Sequence, residues 1–201
     1  FSNWCRVDGK ITKVTMSVDV DDAVTRWNES VRELKQHIHR KRVQVAEYNR
    51  QKNNLVEGEI LIQCDYSENY KNKEQDEIQS AYFGHSSFSI FTACAYFIKH
   101  SQIQKFPMTV VTEASDHDRI ASFTCFTKLI ETVKAEAGVP LKKILAWSDG
   151  MSAQFRSRFV FKLLTSFDES VDFEWYYMEA HHGKGPMDGV GGTIKNKVFK
   201  E

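Results

Sequence analysis

The chain has 201 residues, of which 41% are apolar, and it balances 27 basic against 27 acidic residues. A chain of this length and apolar content buries one good core, while its zero net charge weighs against a strongly basic nucleic-acid binder, although clustering of Lys and Arg matters more than their total. No window approaches the ~18 unbroken apolar residues of a membrane helix, and the start has no signal-like apolar region, so we expect a soluble, intracellular protein without a membrane partner.

The first 57 residues predict an extension ahead of the main domain. The alternating run Ile11–Val20 is typical of a strand or an extended lead-in. Apolar residues then follow a three-four spacing over Val24–Tyr48, interrupted by Lys41, with no Gly or Pro before Gly58. This pattern predicts a long amphipathic helix that packs on the domain or on a partner. One candidate partner is a second copy of the chain, which would give a homo-oligomer through Val24–Tyr48. The basic residues on its polar face would also suit a phosphate backbone.

The middle of the chain predicts three strands. The apolar run Glu59–Tyr66 has strand length and carries Asp65 near its end, and the polar stretch 67–79 that follows predicts a loop. A second strand is expected within Phe88–Ile98, and the sequence MTVVTE after Pro107 predicts a third. We expect these three strands to pair as antiparallel neighbours.

Helices and strands alternate in the remainder of the chain. The predicted elements are a helix over 116–137, a strand over 143–147, a helix over 152–165, a strand over 171–178 and a helix over 187–199. Antiparallel strands followed by this alternation imply a mixed sheet covered on both faces. The best match is an α/β ribonuclease H-like fold, with a mixed five-stranded sheet and helices on both faces, preceded by the long N-terminal helix. We place the extension at 1–57 and the core at 58–201, with the last helix cut short by the end of the sequence.

Three carboxylates stand where strands end or a helix begins. Asp65 lies near the end of the first core strand, and Asp149 follows the apolar run ILAWS. Asp188 lies where a glycine-rich turn enters the last helix. Mg²⁺ prefers oxygen ligands and keeps several waters, so two or three carboxylates on a rigid scaffold can hold two ions for phosphoryl transfer. The pattern therefore predicts a two-metal nucleic-acid site.

Each acid also has a plainer interpretation. A carboxylate between a strand and a Gly is commonly a turn or N-cap residue, which suits Asp149 and Asp188 taken singly. Asp65 follows ILIQC, where burial explains an acid poorly unless it is paired or metal-bound. Glu179, after the last predicted strand, is the alternative third acid.

Four further residues are candidates for contact with nucleic acid. His182 and Lys184 lie in the loop HHGKGP, and Gln154 and Arg156 follow Asp149 in the next predicted helix. Exposed polar side chains in these positions are equally well explained by solvation. The segment GKGPMDG is not a phosphate-binding loop of the nucleotide-hydrolysing kind, because no Ser or Thr follows the Lys.

The number and spacing of the cysteines indicate the redox state of the compartment. Four of them are spread along the chain without a CxxC pair, at Cys5, Cys64, Cys94 and Cys125. A zinc site or a disulfide framework is therefore not expected, and a reducing compartment is favoured.

With ILIQCDYSENY, ILAWSDGMSAQFRSRF and HHGKGPMDGVGGTIKNKV in view, the chain resembles the DDE/DDD transposase–integrase superfamily. More narrowly, it is similar to transposon-derived animal proteins in which an SDG…Q motif precedes HGKGP-x-DG-x-GG. The separation of Asp149 and Asp188 is close to that of the last two acids in mariner-like elements. The resemblance covers roughly Glu59 to Lys197 and leaves the first helix outside.

The resemblance implies that Asp65, Asp149 and Asp188 ligate two Mg²⁺ or Mn²⁺ ions. It implies hydrolysis at a transposon end, attack of the freed 3′-hydroxyl on target DNA, and a nuclear location. Two alternatives stay open: a metal-dependent nuclease of the same fold, and a domesticated binding module without catalytic activity. The chain opens without Met and ends inside a helical pattern, so we expect a fragment.

Overall fold

The computed structural model describes most of the chain, which forms two compact units. The described residues are 2–15, 17–71, 87–113, 117–151, 154–165, 170–179 and 186–198. The units are Phe1–Val43 and Gln44–Glu201. The sequence-based boundary at 57/58 thus lies further along the chain than the division between the units.

The first unit begins with an antiparallel hairpin. Strands β1 (Ser2–Val7) and β2 (Lys10–Thr15) pair in register, and the turn residues Asp8 and Gly9 both have positive φ. An Asp-Gly pair suits this turn because the twist of a two-residue hairpin requires φ > 0 at both positions. The expected strand over Ile11–Val20 is therefore corrected: β2 ends at Thr15, and β1 was not expected.

Helix α1 follows and passes from the first unit into the second. It spans Val20–Asn53, with Asp21 and Asp22 in its first turn and Arg50 and Lys52 in its last. Acids at the start and bases at the end complement the helix dipole.

The second unit contains a mixed five-stranded sheet. Its strands are β3 (Glu59–Lys71), β4 (Ser87–Lys99), β5 (Gln102–Thr112), β6 (Lys143–Asp149) and β7 (Asp172–Met178). In space they follow the order β5-β4-β3-β6-β7. The neighbours β3, β4 and β5 pair antiparallel, whereas β6 pairs parallel with β3 and β7 parallel with β6. The chain is thus a mixed α/β protein, as the element order predicts.

Three helices connect or follow these strands. They are α2 (Arg119–Ala137), α3 (Arg158–Thr165) and α4 (Pro186–Val198). Helix α2 is capped by the Asp118 carboxylate, which accepts from the Ile120 and Ala121 N–H groups, and it ends at Gly138, whose φ is 69°. A left-handed residue at this position is the usual end of a helix, and Gly adopts it without strain.

The sheet is covered by helices on both faces. On one face, α2 and α3 form a large apolar core with the strands, with Ile60, Ile130 and Val160 almost fully buried. On the other face, the end of α1 packs on Leu61 and Trp147 through Tyr48 and Leu55, and α4 packs on β3, β4 and β5. Alternating side chains of each strand supply the two cores, because successive residues point to opposite faces.

A buried hydrogen bond fixes the end of α1 on the sheet. The Trp147 indole Nε1 donates to Gln51 Oε1 at 2.8 Å, and both side chains are buried. The Trp147 ring also stacks on Tyr176 with ring centroids 4.8 Å apart. Trp can be buried at little cost only where its N–H finds an acceptor, which Gln51 provides.

Several predicted boundaries are wrong. Strand β3 continues to Lys71 through residues that were expected to be a loop, and β5 begins before Pro107 instead of after it. Pro107 is tolerated inside β5 because β5 is an edge strand, where one side needs no ladder hydrogen bond. Residues 154–157 form a turn, so the helix expected from 152 begins only at Arg158.

The close approach of Gly191 to Ser67 tests the packing of α4 on the sheet. A Cβ at Gly191 would lie 2.6 Å from Ser67 Oγ and 3.0 Å from Ser67 Cβ, whereas a Cβ at Gly192 meets nothing within 4 Å. We expect Gly191→Ala to lower the free energy of unfolding by about 1–3 kcal/mol through overpacking. Gly192→Ala is the matched control and should be neutral or stabilising by up to ~1 kcal/mol. Urea unfolding measures both, and equal effects at the two glycines would contradict the close approach.

Candidate functional site

Two of the three predicted acids lie on neighbouring parallel strands. The register of β3 and β6 pairs Gln63 with Trp147, and each strand places an Asp two residues further on, Asp65 and Asp149. Continuing the register therefore sets Asp65 opposite Asp149, with both side chains on the same face of the sheet. Neighbouring strands are ~4.8 Å apart, so two carboxylates in facing positions come within the reach of one shared ligand.

Cys64 lies beside Asp65 in β3, and its thiol is fully buried. Burial raises its pKa well above the ordinary value, and the negative charges of Asp65 and Asp149 raise that pKa further. Both carboxylates are thus within electrostatic reach of one buried group. Cys64 is a free thiol inside the core, as its apolar surroundings predict.

Asp65 is held by its own strand and by β4. The Tyr66 N–H donates to Asp65 Oδ1 at 2.7 Å. Thr92 lies opposite Asp65 on β4, and its hydroxyl donates to the Asp65 carbonyl oxygen at 3.1 Å. The Asp65 side chain is half-buried. These contacts fix the backbone that carries the carboxylate.

Asp149 is the last residue of β6. The Met151 N–H lies 3.4 Å from Asp149 Oδ1, an Asx-type contact of the kind that the turn interpretation predicts. Burial raises the pKa of the Asp149 carboxyl, and the contact with Met151 only partly opposes that effect. A half-buried carboxylate that has lost hydration gains from a bound cation, so the turn geometry and a ligand role are compatible.

Helix α4 covers the face on which these acids lie. Gly191 faces Ser67 and Thr92, and both of these lie on the same face as Asp65 because Ser67 is two residues along β3 and Thr92 is its partner on β4. Asp188 is the third residue of α4, one helical turn before Gly191. It therefore stands in the first turn of the helix and not at the N-cap. Its side chain lies outside the described residues.

Glu179, the alternative third acid, lies one residue beyond the strand position that pairs with Asp149. It follows Met178, which pairs with Asp149 across β6 and β7. Its backbone N–H donates to Gln44 Oε1 at 2.7 Å. This hydrogen bond joins the end of β7 to the part of α1 that belongs to the second unit. Asp188 and Glu179 both stay candidates. Within the described ranges, no three His, Cys, Asp or Glu side chains come together as a metal site.

The four residues expected to contact nucleic acid fare differently. His182 and Lys184 lie outside the described residues. Gln154 is only 6% exposed, and its Oε1 accepts no hydrogen bond from any residue that the structure describes. The expectation that Gln154 lies on the exposed surface of a helix is thus corrected. Arg156 is exposed, with its guanidinium 5.8 Å from the centre of the Tyr177 ring.

Sequence reasoning missed a polar cluster beneath the end of β3. The His117 ring stacks on Tyr66 at a centroid distance of 3.9 Å, and its Nε2 lies 2.9 Å from the buried Ser89 Oγ. Burial raises the pKa of Tyr66 to about 12. The cluster joins the start of α2 to β3 and β4 on the face opposite Asp65. No pattern in the sequence signals it, because its members are far apart in the chain and share no spacing.

A comparison with known protein families matches the second compact unit. Residues 44–201 match the family described as Domain of unknown function (DUF8701). The chain belongs to this family. The matched region begins at Gln44, where the second compact unit also begins, so the DUF8701 region and the unit with the mixed sheet coincide. No curated protein matches the sequence. The DUF8701 description names no activity, and the transposase resemblance stays a prediction.

Asp149 generates the second test. Its pKa in the fold is raised above the ordinary value of 3.8, so the folded protein binds this proton more tightly than the unfolded chain. The associated stability is therefore full below pH 3.8 and is lost as the pH rises through the raised pKa. We expect Asp149→Asn to be more stable than the wild type at pH 7 without divalent ions, with the gap closing toward pH 3.8.

Asp172→Asn is the matched control for this substitution. Asp172 starts β7 and pairs with Lys143 at 3.4 Å with a 65% exposed side chain, so its loss should change stability little, and not upward. Urea unfolding as a function of pH measures both variants. An Asp149→Asn variant that is less stable than the wild type at pH 7 would show that the turn contact, and not burial, governs this carboxylate.

Proposed function

We propose that the chain is a DDE/DDD-type transposase core, or a core derived from one, that cleaves and joins DNA strands with divalent metal ions. The observation that supports the proposal is the parallel pairing of β3 and β6 up to Gln63 and Trp147, each of which is followed two residues later by an Asp, Asp65 or Asp149. The substrate class is DNA, and the proposed location is the nucleus.

The sheet supports a ribonuclease H-like fold for this core. An antiparallel set of three strands is extended on one side by two parallel strands, each reached through a helix. Because β3 and β6 are parallel, their carboxyl ends lie at the same end of the sheet. Functional groups of mixed α/β sheets usually lie at this end.

The donor set fits Mg²⁺ or Mn²⁺. Two carboxylates supply hard oxygen ligands, and water and DNA phosphate oxygens complete the coordination in sites of this type. Asp149 is partly desolvated, which favours a nearby cation. Bound ions would activate the attacking hydroxyl and neutralise the charge that develops on the phosphate.

The residues of the chain have separate tasks in this proposal. Asp65 and Asp149 hold the ions from two strands whose register is fixed by the core. Asp188, or Glu179 in the alternative, is proposed to supply a third carboxylate. Arg156, His182 and Lys184 are proposed to contact the DNA backbone, to which they bring positive or hydrogen-bonding groups.

A second candidate is a domesticated binding module without catalysis. The zero net charge favours it, because a DNA-processing core usually presents an excess of basic residues. A metal-dependent nuclease of the same fold uses the same acids and differs only in lacking strand transfer.

Calorimetric titration with Mn²⁺ is the first test of the proposed site. We expect Asp65→Asn and Asp149→Asn each to weaken Mn²⁺ binding by at least about tenfold. Loss of an outer-shell partner alone costs about tenfold to a hundredfold in metal affinity. Asp172 begins β7, beside Lys143 at the start of β6 and far from the carboxyl end that carries Asp149, so Asp172→Asn should bind Mn²⁺ as the wild type does. Unchanged binding in both site variants would overturn the assignment of the acids.

Incubation with radiolabelled DNA and Mn²⁺ separates the functions. Joined products lost in Asp65→Asn and Asp149→Asn support the transposase, and cleavage without joining identifies the nuclease. Wild-type protein that binds Mn²⁺ but neither cleaves nor joins DNA favours the module that has lost activity.

A further inference from the structure

Helix α1 carries an apolar stripe that the first unit leaves exposed. Its members are Val20, Val24, Trp27, Leu34 and Ile38, which are 37–73% exposed, together with the half-buried Val31. Four of these side chains expose half or more of their surface. Single exposed apolar residues are ordinary, but a continuous stripe of this kind marks an interaction surface.

The stripe has a heptad register. Val24, Val31 and Ile38 fall at a positions, and Val20, Trp27, Leu34 and Lys41 fall at d positions. The a positions are all apolar, and the d positions are apolar except Lys41. The spacing of 3.5 residues keeps the stripe facing one partner helix along its length.

Lys41 selects the direction of that partner. In a parallel in-register pair, each d residue faces its own copy, so Lys41 would meet the partner's Lys41 in the seam. Two ammonium groups brought together away from water repel strongly. In an antiparallel pair centred between Arg32 and Glu33, Lys41 faces Val24 instead, and its long stem can carry the charge out of the seam.

The flanking charges agree with the antiparallel direction. Acids occupy the first turn of α1, with Asp21 at an e position, whereas Lys41 and Arg42 lie near the other end of the stripe, with Arg42 also at e. An antiparallel pair brings Asp21 of one chain beside Arg42 of the other. A parallel pair would instead bring both acidic starts together and both basic ends together.

The same centre matches the apolar residues. Trp27 faces Ile38 of the partner, and Val31 faces Leu34 of the partner, so that each layer pairs an a residue with a d residue. The seam from Val24 to Lys41 then contains six such layers over about 26 Å. No layer places two like charges opposite each other.

We propose that this chain forms an antiparallel homodimer through the α1 stripe from Val20 to Lys41. The partner helix must place basic residues beside the acidic start of the stripe and acidic residues beside its basic end. A second copy of α1 running in the opposite direction does this, so we assign the partner as a second copy of the chain. The stripe lies outside the DUF8701 region, so the dimer is independent of the proposed chemistry.

Sedimentation equilibrium of the full chain tests the association. We expect a mass twice the 23.3 kDa of one chain at micromolar concentration. Leu34→Asp puts two carboxylates into the central layers and should raise the dissociation constant at least about a hundredfold. Val43→Asp is the matched control: Val43 is 55% exposed on the same helix but lies off the stripe, so the dimer should persist.

Cysteine cross-linking tests the direction, in a Cys5→Ser background that removes the one free thiol that is not buried. Disulfides need Cα atoms about 4–7 Å apart. Val24→Cys combined with Lys41→Cys should give a covalent dimer on mild oxidation, whereas Val24→Cys alone should not, since its two copies lie about 26 Å apart in the antiparallel pair.

Four results would overturn the proposal. They are a monomer at all concentrations, a dimer that survives Leu34→Asp in a chain with an unchanged circular dichroism spectrum, efficient cross-linking by Val24→Cys alone, and a dimer in which the double cysteine variant does not cross-link.

Discussion

The parallel pairing of β3 with β6 is the constraint on which the rest of the second unit depends. Ile60, Leu61 and Ile62 are fully buried, and Ile144 and Ala146 face them on the neighbouring strand with no exposed surface. A slip of one residue would turn these side chains to the wrong faces, so burial on both sides fixes the register. The pairing extends to Gln63 and Trp147, and each strand continues two residues further to an Asp. The facing positions of Asp65 and Asp149 are therefore a consequence of core packing and not of any contact between the acids.

The polar face of the sheet is built at a cost to stability. Asp149 is desolvated, and Gln154 buries an amide oxygen that has no donor among the described residues. Groups of this kind reduce stability unless a ligand satisfies them, and they collect at functional sites for that reason. The surrounding structure offsets this cost with well-satisfied groups, such as the Trp147 indole on Gln51 and the Asp118 cap of α2. Satisfied and unsatisfied buried polar groups thus occur in the same unit.

The two units divide the properties of the chain. The DUF8701 region carries the mixed sheet and all the predicted acids, whereas the first unit carries the hairpin and the exposed stripe of α1. No helix that the structure describes is long and apolar enough to span a membrane. Self-association through the first unit would bring two copies of the second unit into one particle.

The sequence by itself determined the type and order of most core elements, because burial imposes a period of two on strands and near 3.6 on helices. It also determined the end of α2 at Gly138 and the positions of Asp65 and Asp149 near strand ends, since these depend on local chemistry. Only the tertiary structure decided that β3 runs on through polar residues to Lys71, because β4 supplies ladder hydrogen bonds that local polarity does not reveal. It also decided that Pro107 lies inside an edge strand, that Gln154 is buried, and that Gly191 meets Ser67. These features depend on residues far apart in the chain, and a local pattern contains no information about which distant side chain will lie opposite.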